Sequence, residues 1–335
     1  MNLLPYSDEV YKTVERKLNS ERQKHEKEAC LRRESFFATN ERAAHIYNEI
    51  SELALHGARA VLSGDNSLLL RLREKREKLS KELTKILSDS DLRADFLEAK
   101  CNCRICSDSG LVFGNVCVCV RELLKKESMR RLEAAFEEGG LSAKCVSFGD
   151  FSLDYYSDEL VPGKRVTQRE IMKYIFDFCW NYAKNFNLES RGLLLVGETG
   201  LGKTHISLSI AKEVLKKGYS AVYVSAPNMI SVLEREKFGK LNLGKSESNF
   251  IKCDLLIIDD LGAEFPSSFS SASVYNILNS RVMRMAPTII STNFSMYELE
   301  KLYGARVISR IIGYNTRLEF VGTDIRQKKV EKEHF

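Results

Sequence analysis

Apolar positions in the first hundred residues recur at helical intervals within a densely charged background, and Pro5 is the only proline there. Asp8–Arg33 reads as a helix with a thin apolar face of Val10, Tyr11, Val14 and Leu18. Asn40–Leu62 carries Ile46, Ile50, Leu53 and Leu55 near one face, and Ser63-Gly64-Asp65-Asn66 has the residues of a turn. Beyond it, Leu68–Leu87 sets Leu72, Leu79 and Ile86 at intervals of seven, with Leu83 between. That spacing predicts a helical hairpin or a short coiled coil, and Arg76 in the seam favours the packed hairpin. From Ser147 onward the period changes. Short apolar runs at Arg191–Gly197, Ala221–Ser225, Leu255–Asp259 and Thr288–Thr292 alternate with helical stretches such as Lys203–Lys217. This alternation predicts a parallel sheet covered on both faces. Between the two regimes lie a cysteine block, Cys101–Cys119, a short helix, Arg121–Glu138, and a joint at Gly139-Gly140. No internal repeat is visible.

Composition narrows the classes. A length of 335 residues suggests about two or three domains. Apolar residues at 44% and charged residues at 29% are ordinary for a folded chain and too apolar for wholesale disorder. No apolar run approaches the roughly 18 residues of a spanning helix, and neither a secretory signal nor a lipidation motif is seen, so a cytoplasmic protein with no membrane role is expected. The net charge of +5 permits contact with nucleic acid without arguing for it. Nine cysteines, five of them between Cys101 and Cys119, read in a cytosolic chain as metal ligands sooner than disulfides.

Chemistry concentrates in three strand ends. Gly197-Glu198-Thr199-Gly200-Leu201-Gly202-Lys203-Thr204 matches the G-x-x-x-x-G-K-[ST] phosphate loop, with a strand before it and a helix after it. Glycines let the backbone wrap so that N–H groups point at phosphate oxygens, and the following helix adds its positive end. Lys203 would neutralise the β- and γ-phosphates, and the Thr204 hydroxyl would coordinate Mg²⁺. Asp254–Asp260 is an apolar run closing on two carboxylates, where Asp259 would hold Mg²⁺ through water and Asp260 would activate the attacking water. Many hydrolytic relatives carry Glu at the second position. The shorter Asp predicts slow turnover, or a share of the task for Glu264. Pro287–Asn293 ends in a polar triplet whose Asn293 would contact the attacking water or the γ-phosphate.

In this order the motifs resemble those of the AAA+ ATPases, and within them the DnaC/DnaI group of bacterial helicase loaders. The phosphate loop continuing into His205, the run Ile258-Asp259-Asp260-Leu261-Gly262-Ala263-Glu264, the segment Gly304–Arg310, the end Gly322–Arg326 and the entry Phe148–Tyr156 carry the likeness. The resemblance covers about Cys103 to Arg326. It implies an α/β fold: an AAA+ P-loop parallel sheet with a small lid, preceded by a helical N-terminal domain. It also implies nucleotide held between self-associating subunits, with Arg310 as arginine finger and Arg326 as second sensor. His205 would pack behind the loop that binds ATP.

Cys103-x-x-Cys106 and Cys117-x-Cys119 supply two thiol pairs across a short loop, the donor set of a structural Zn²⁺ site. Free thiols, a redox pair or an iron–sulfur cluster are the alternatives, and Cys101 leaves the ligand choice at the first pair open. The loader group carries a similar module, a small four-cysteine zinc ribbon. Glu234–Lys245 mixes basic residues with Phe238, as a groove for single-stranded DNA does, and its acidic neighbours suit an exposed loop equally well. The expected organisation is a helical helicase-binding domain at 1–98, a zinc module and linker helix at 99–140, and an AAA+ ATPase domain at 141–335. The expected function is ATP-dependent loading of a hexameric replicative DNA helicase onto single-stranded DNA. An IstB-like transposition helper and a non-hydrolysing, ATP-switched adaptor are the alternatives.

Overall fold

A computed structural model of the chain describes residues 6, 8–137, 146–239 and 245–327. The Gly139-Gly140 joint, Cys145 and the Lys240–Gly244 part of the basic stretch lie outside the described residues. The chain divides into two compact units, residues 15–117 and the remainder.

The chain opens with α1 (Asp8–Phe37), α2 (Glu41–Ser63) and α3 (Asn66–Asp89). The α2–α3 connection is the turn read from the sequence. Gly64 takes a left-handed φ of 72° and its N–H closes on the last carbonyls of α2, while Asp65 caps α3 by accepting the Leu68 N–H at 3.0 Å. Ile46 and Leu53 of α2 are buried against Leu79 of α3, with Leu72, Leu83 and Ile86 packed around them. The residues spaced by seven therefore form the seam of a packed hairpin. Below the seam, Phe36, Ala43, Leu87 and Leu97 close a second small core. A two-residue hairpin, β1 (Leu111–Val112) and β2 (Asn115–Val116), follows in the cysteine block.

After α4 (Val118–Glu137) and α5 (Gln168–Asn185), strands and helices alternate. They run β3 (Gly192–Val196), α6 (Lys203–Lys216), β4 (Ala221–Ser225), α7 (Ala226–Phe238), α8 (Lys245–Lys252), β5 (Leu255–Asp259), α9 (Ser268–Met283), β6 (Thr288–Thr292), α10 (Met296–Tyr303), α11 (Ala305–Tyr314) and β7 (Asn315–Glu319). The five strands form one parallel sheet in the order β4-β5-β6-β3-β7. Side chains alternate across it, so each face has its own core. Leu193, Leu195, Ile257 and Ile289 meet Met172, Ile175, Ile206 and Ile210 of α5 and α6. Leu194, Leu256, Ile258 and Ile290 meet Met229, Val274, Ile308 and Ile311 of α7, α9 and α11.

Two features differ from the sequence reading. The sheet has a fifth strand, β7, whose polar Asn-Thr-Arg-Leu-Glu buries only Leu318 and carries no apolar run. Among the described residues no separate lid follows the sheet: α10 and α11 share its core through Leu299, Val307 and Ile311. No helix among the described residues is long and apolar enough to cross a membrane.

One charged group is enclosed in this packing. Arg281 of α9 is fully buried and donates to the carbonyls of Phe250 at 2.8 Å, Cys253 at 2.9 Å and Pro287 at 2.6 Å, and to the Thr288 hydroxyl at 2.9 Å. It thereby ties the end of α8 to the starts of β5 and β6. Arg281→Met fills the space but removes the charged donor from these oxygens; the Pro287 carbonyl keeps the Leu256 N–H at 3.3 Å, and a buried acceptor left unpaired costs ~1–3 kcal/mol. The variant is expected to lose about 3 kcal/mol of unfolding free energy, read from urea melts. An unshifted midpoint would remove Arg281 from this role.

Candidate functional site

The site is assembled at the carboxyl ends of three neighbouring strands. The chain leaves β3 at Val196, wraps through the glycine-rich loop, and enters α6 at Lys203. Gly200 holds a left-handed φ of 79°, and a Cβ there would displace the Asp324 carboxylate, so a larger residue at that point strains the loop. The α6 N-terminus supplies positive potential to the loop interior. Lys203 is 5% exposed. Its ammonium donates to the Gly197 carbonyl at 2.6 Å, the Glu198 carbonyl at 2.6 Å and Asn293 Oδ1 at 2.7 Å. Burial pulls its pKa below the ordinary lysine value, and the charges of Asp260 and Asp259 pull the other way.

Asp259, at the end of β5, is buried and accepts three hydroxyls. Thr204 Oγ1 donates to Oδ2 at 2.9 Å, Tyr223 donates to the same oxygen at 2.7 Å, and Ser291 donates to Oδ1. The next residue, Asp260, has a left-handed φ of 53° and donates its N–H to Ser291 Oγ at 2.9 Å. Asp is among the few side chains that tolerate this backbone region, which accounts for Asp where a longer Glu was the usual expectation. Burial raises the Asp260 pKa above the ordinary carboxylate value, Asp259 adds to the rise, and Lys203, Arg326 and a hydrogen bond from Asn293 oppose it. Asn293 therefore sits between the ammonium and the second carboxylate. Glu264 is committed elsewhere: it accepts the Gly262 N–H at 3.0 Å and the Tyr303 hydroxyl.

A cavity opens over the loop. Thr199, Gly200, Leu201, Gly202, Lys203 and Thr204 line it together with His205, Asp260, Asn293 and Arg326, and Phe151 and Tyr155 form its apolar wall. Tyr156 braces the loop from below, donating its hydroxyl to the Leu201 carbonyl at 3.0 Å. His205 pairs through Nε2 with the Ser147 carbonyl at 2.7 Å and lies edge-on to Phe151. Arg310 is not in this cavity. It lines a separate hollow at the amino-terminal edge of the sheet with Gly192, Thr288 and Asn315.

The second cluster is sulfur. One ligand atom each from Cys103, Cys106, Cys117 and Cys119 lies within 4.8 Å of all the others. Cys103 Sγ and Cys117 Sγ are 3.8 Å apart. A tetrahedron with bonds of ~2.3 Å has edges of ~3.8 Å, so the donor set fits Zn²⁺ with no open position. Asp108 shapes the first knuckle by accepting the Asn102 and Cys103 N–H groups, each at 2.8 Å. Cys101 is exposed.

Tyr223, Ser291, Tyr156 and Asp108 were not readable as site residues. Ser291 left a faint sign, as the first member of the polar triplet that closes Pro287–Asn293. Tyr223 left none, because strand register alone brings it to Asp259.

Comparison with known proteins places the chain among similar sequences. Residues 181–329 match the family described as IstB-like ATP binding protein. Over 158 residues the chain is 28% identical to the replicative helicase loader DnaC of Escherichia coli (strain K12), covering 46% of this chain and 63% of that protein. It is 30% identical over 160 residues to the replicative helicase loader DnaI of Bacillus subtilis (strain 168), covering 42% and 49%. It is 28% identical over 149 residues to the insertion sequence IS5376 putative ATP-binding protein of Geobacillus stearothermophilus, covering 42% and 58%. The chain thus spans less than two thirds of the length of each of these relatives.

Two outcomes follow from the geometry. Lys203→Ala removes the one ammonium in the loop and is expected to weaken ATP binding by about 100-fold, the loss of one or two charge-assisted hydrogen bonds, with circular dichroism unchanged. Equilibrium binding of a fluorescent ATP analogue checks it, and wild-type affinity would exclude Lys203 as a phosphate ligand. Purified protein is expected to carry about one zinc per chain, which Cys106→Ser with Cys117→Ser releases. Elemental analysis decides this, and metal retained in the double variant would defeat the four-thiolate assignment.

Proposed function

With an IstB-like ATP-binding domain over residues 181–329 as the premise, we propose that the chain is an ATPase that loads a hexameric replicative DNA helicase onto single-stranded DNA. The observation that carries the ATPase reading is the line Lys203–Asn293–Asp260, set beside the Thr204–Asp259 pair. Lys203 exchanges its loop carbonyls for phosphate oxygens when a nucleotide enters. Thr204 and Asp259 hold Mg²⁺, which supplies neutralising charge at the β- and γ-phosphates. Asp260, kept basic by its surroundings and oriented by Asn293, takes the proton of the attacking water. Arg326, on the cavity wall, adds positive charge. Arg310, remote from its own loop, serves a neighbouring subunit's nucleotide.

The names of the two loaders support the helicase as partner. The division of labour we assign is helicase binding by 1–98, a zinc-bound module and linker at 99–140, and ATP turnover by 141–335, in the cytoplasm. For single-stranded DNA, support comes from an aromatic pair: exposed Phe238 and half-buried Phe269 have ring centroids 5.7 Å apart, and Lys237 Nζ stands 4.9 Å from the Phe269 centroid. An exposed ring beside a cation offers a base a surface to stack on, as strand-binding platforms do. A transposition helper is the second reading, favoured by the match to the insertion-sequence protein.

One experiment separates these readings. Full-length protein immobilised with ATP is expected to retain the replicative helicase from host lysate and to release phosphate faster when single-stranded DNA is added. Retention of a transposase in its place supports the second reading. Bound ATP without any phosphate release would leave an adaptor.

A further inference from the structure

The hydrogen bond from Tyr223 to Asp259 is not required by the phosphate-loop chemistry, and its origin lies in the sheet. β4 is an edge strand paired in parallel with β5, with Tyr223 opposite Ile257 and Ser225 opposite Asp259. Side chains alternate, so Tyr223, Ile257 and Asp259 share one face, and Asp259 is the diagonal neighbour of Tyr223. Diagonal neighbours stand ~7–8 Å apart at the backbone, a gap that a phenol spans and a shorter side chain does not. The ring packs on the core beneath α6, and the hydroxyl reaches Asp259 Oδ2 at 2.7 Å.

The acceptor count gives this contact a consequence. A carboxylate offers about four lone-pair sites, about two on each oxygen. Thr204 and Tyr223 both donate to Oδ2, and Ser291 donates to Oδ1. The site left for a further donor is on Oδ1. Without Tyr223, the Asp259 carboxylate is held by one hydroxyl on each oxygen, both from short side chains.

We infer that Tyr223 is a positioning residue for the magnesium ion: its hydroxyl fixes the Asp259 carboxylate in the one orientation that leaves an acceptor site on Oδ1 for a metal-bound water. The inference rests on the proposed binding of ATP with Mg²⁺ at this site. It concerns affinity for the metal, since the hydroxyl acts on Asp259 and Tyr223 does not line the cavity over the glycine loop.

The test is Tyr223→Phe in the full chain, which keeps the ring and removes the hydroxyl. A fluorescent ATP analogue is titrated in EDTA and then at rising Mg²⁺, with the melting temperature recorded in parallel. Removing a group that orients a metal ligand typically costs ~10–100-fold in metal affinity, so the Mg²⁺ concentration for half-maximal binding is expected to rise by about tenfold. Nucleotide affinity in EDTA is expected to stay at the wild-type value. In an Asp259→Ala background the same substitution is expected to add nothing, since the residue it acts through is gone. Three results would overturn the inference: an unchanged Mg²⁺ midpoint, a lower one (the hydroxyl then competes with the metal), or equal weakening with and without Mg²⁺, which marks a packing role. If the wild-type chain shows no Mg²⁺-dependent nucleotide binding, the ATPase reading itself falls and takes this inference with it.

Discussion

A buried ammonium must be surrounded by oxygen, and the architecture of this site follows from that requirement at Lys203. The loop's own carbonyls provide two acceptors and Asn293 provides the third. The strand order makes this possible. β6 lies between β3 and β5, so the residue that follows β6 falls midway between the phosphate loop and the acidic pair. Ligand sites in open parallel sheets form at the carboxyl ends of the strands, and here three adjacent ends converge on one cation. The hydroxyl girdle around Asp259 meets the mirror requirement for a buried anion, with donors from α6, β4 and β6.

What was legible in the sequence was whatever depends on neighbours along the chain. The phosphate loop needs eight consecutive residues and a strand and helix to flank it, and all of these are local. The α2–α3 hairpin showed itself through apolar residues spaced by seven, and the cysteine cluster through two short pairs. What was hidden depends on register between strands. Ser291 and Tyr223 reach Asp259 only because three strands align in one particular stagger. β7 was hidden for another reason: an edge strand with one buried side chain has no apolar signature to read. Arg281 was equally opaque, since a buried arginine that pairs with carbonyls looks in sequence like one at the surface.

Asp260 and Glu264 show how the backbone decides between similar side chains. Sequence alone leaves both as partners of an attacking water. The left-handed turn at Asp260 favours the shorter acid and aims it at Asn293, while Glu264 folds back to the Gly262 N–H and the Tyr303 hydroxyl. Glu264 thereby fastens the loop after β5 to the end of α10. Tyr303 is followed directly by Gly304 and α11, the helix that carries Arg310.

The strand order also bears on how the chain is made. β3 is flanked in the finished sheet by β6 and β7, both of which are synthesised long after it. While the ribosome is still producing α7 to α9, the glycine loop already has its helix, but the strand beneath it has two open edges. Those edges belong to Gly-Leu-Leu-Leu-Val, the kind of segment that pairs with other chains when left unprotected. Messages truncated before Thr288 would therefore yield a product prone to clumping, though its phosphate loop is complete. The last strand to emerge is polar and contributes little core, yet it is the one that seals the second edge.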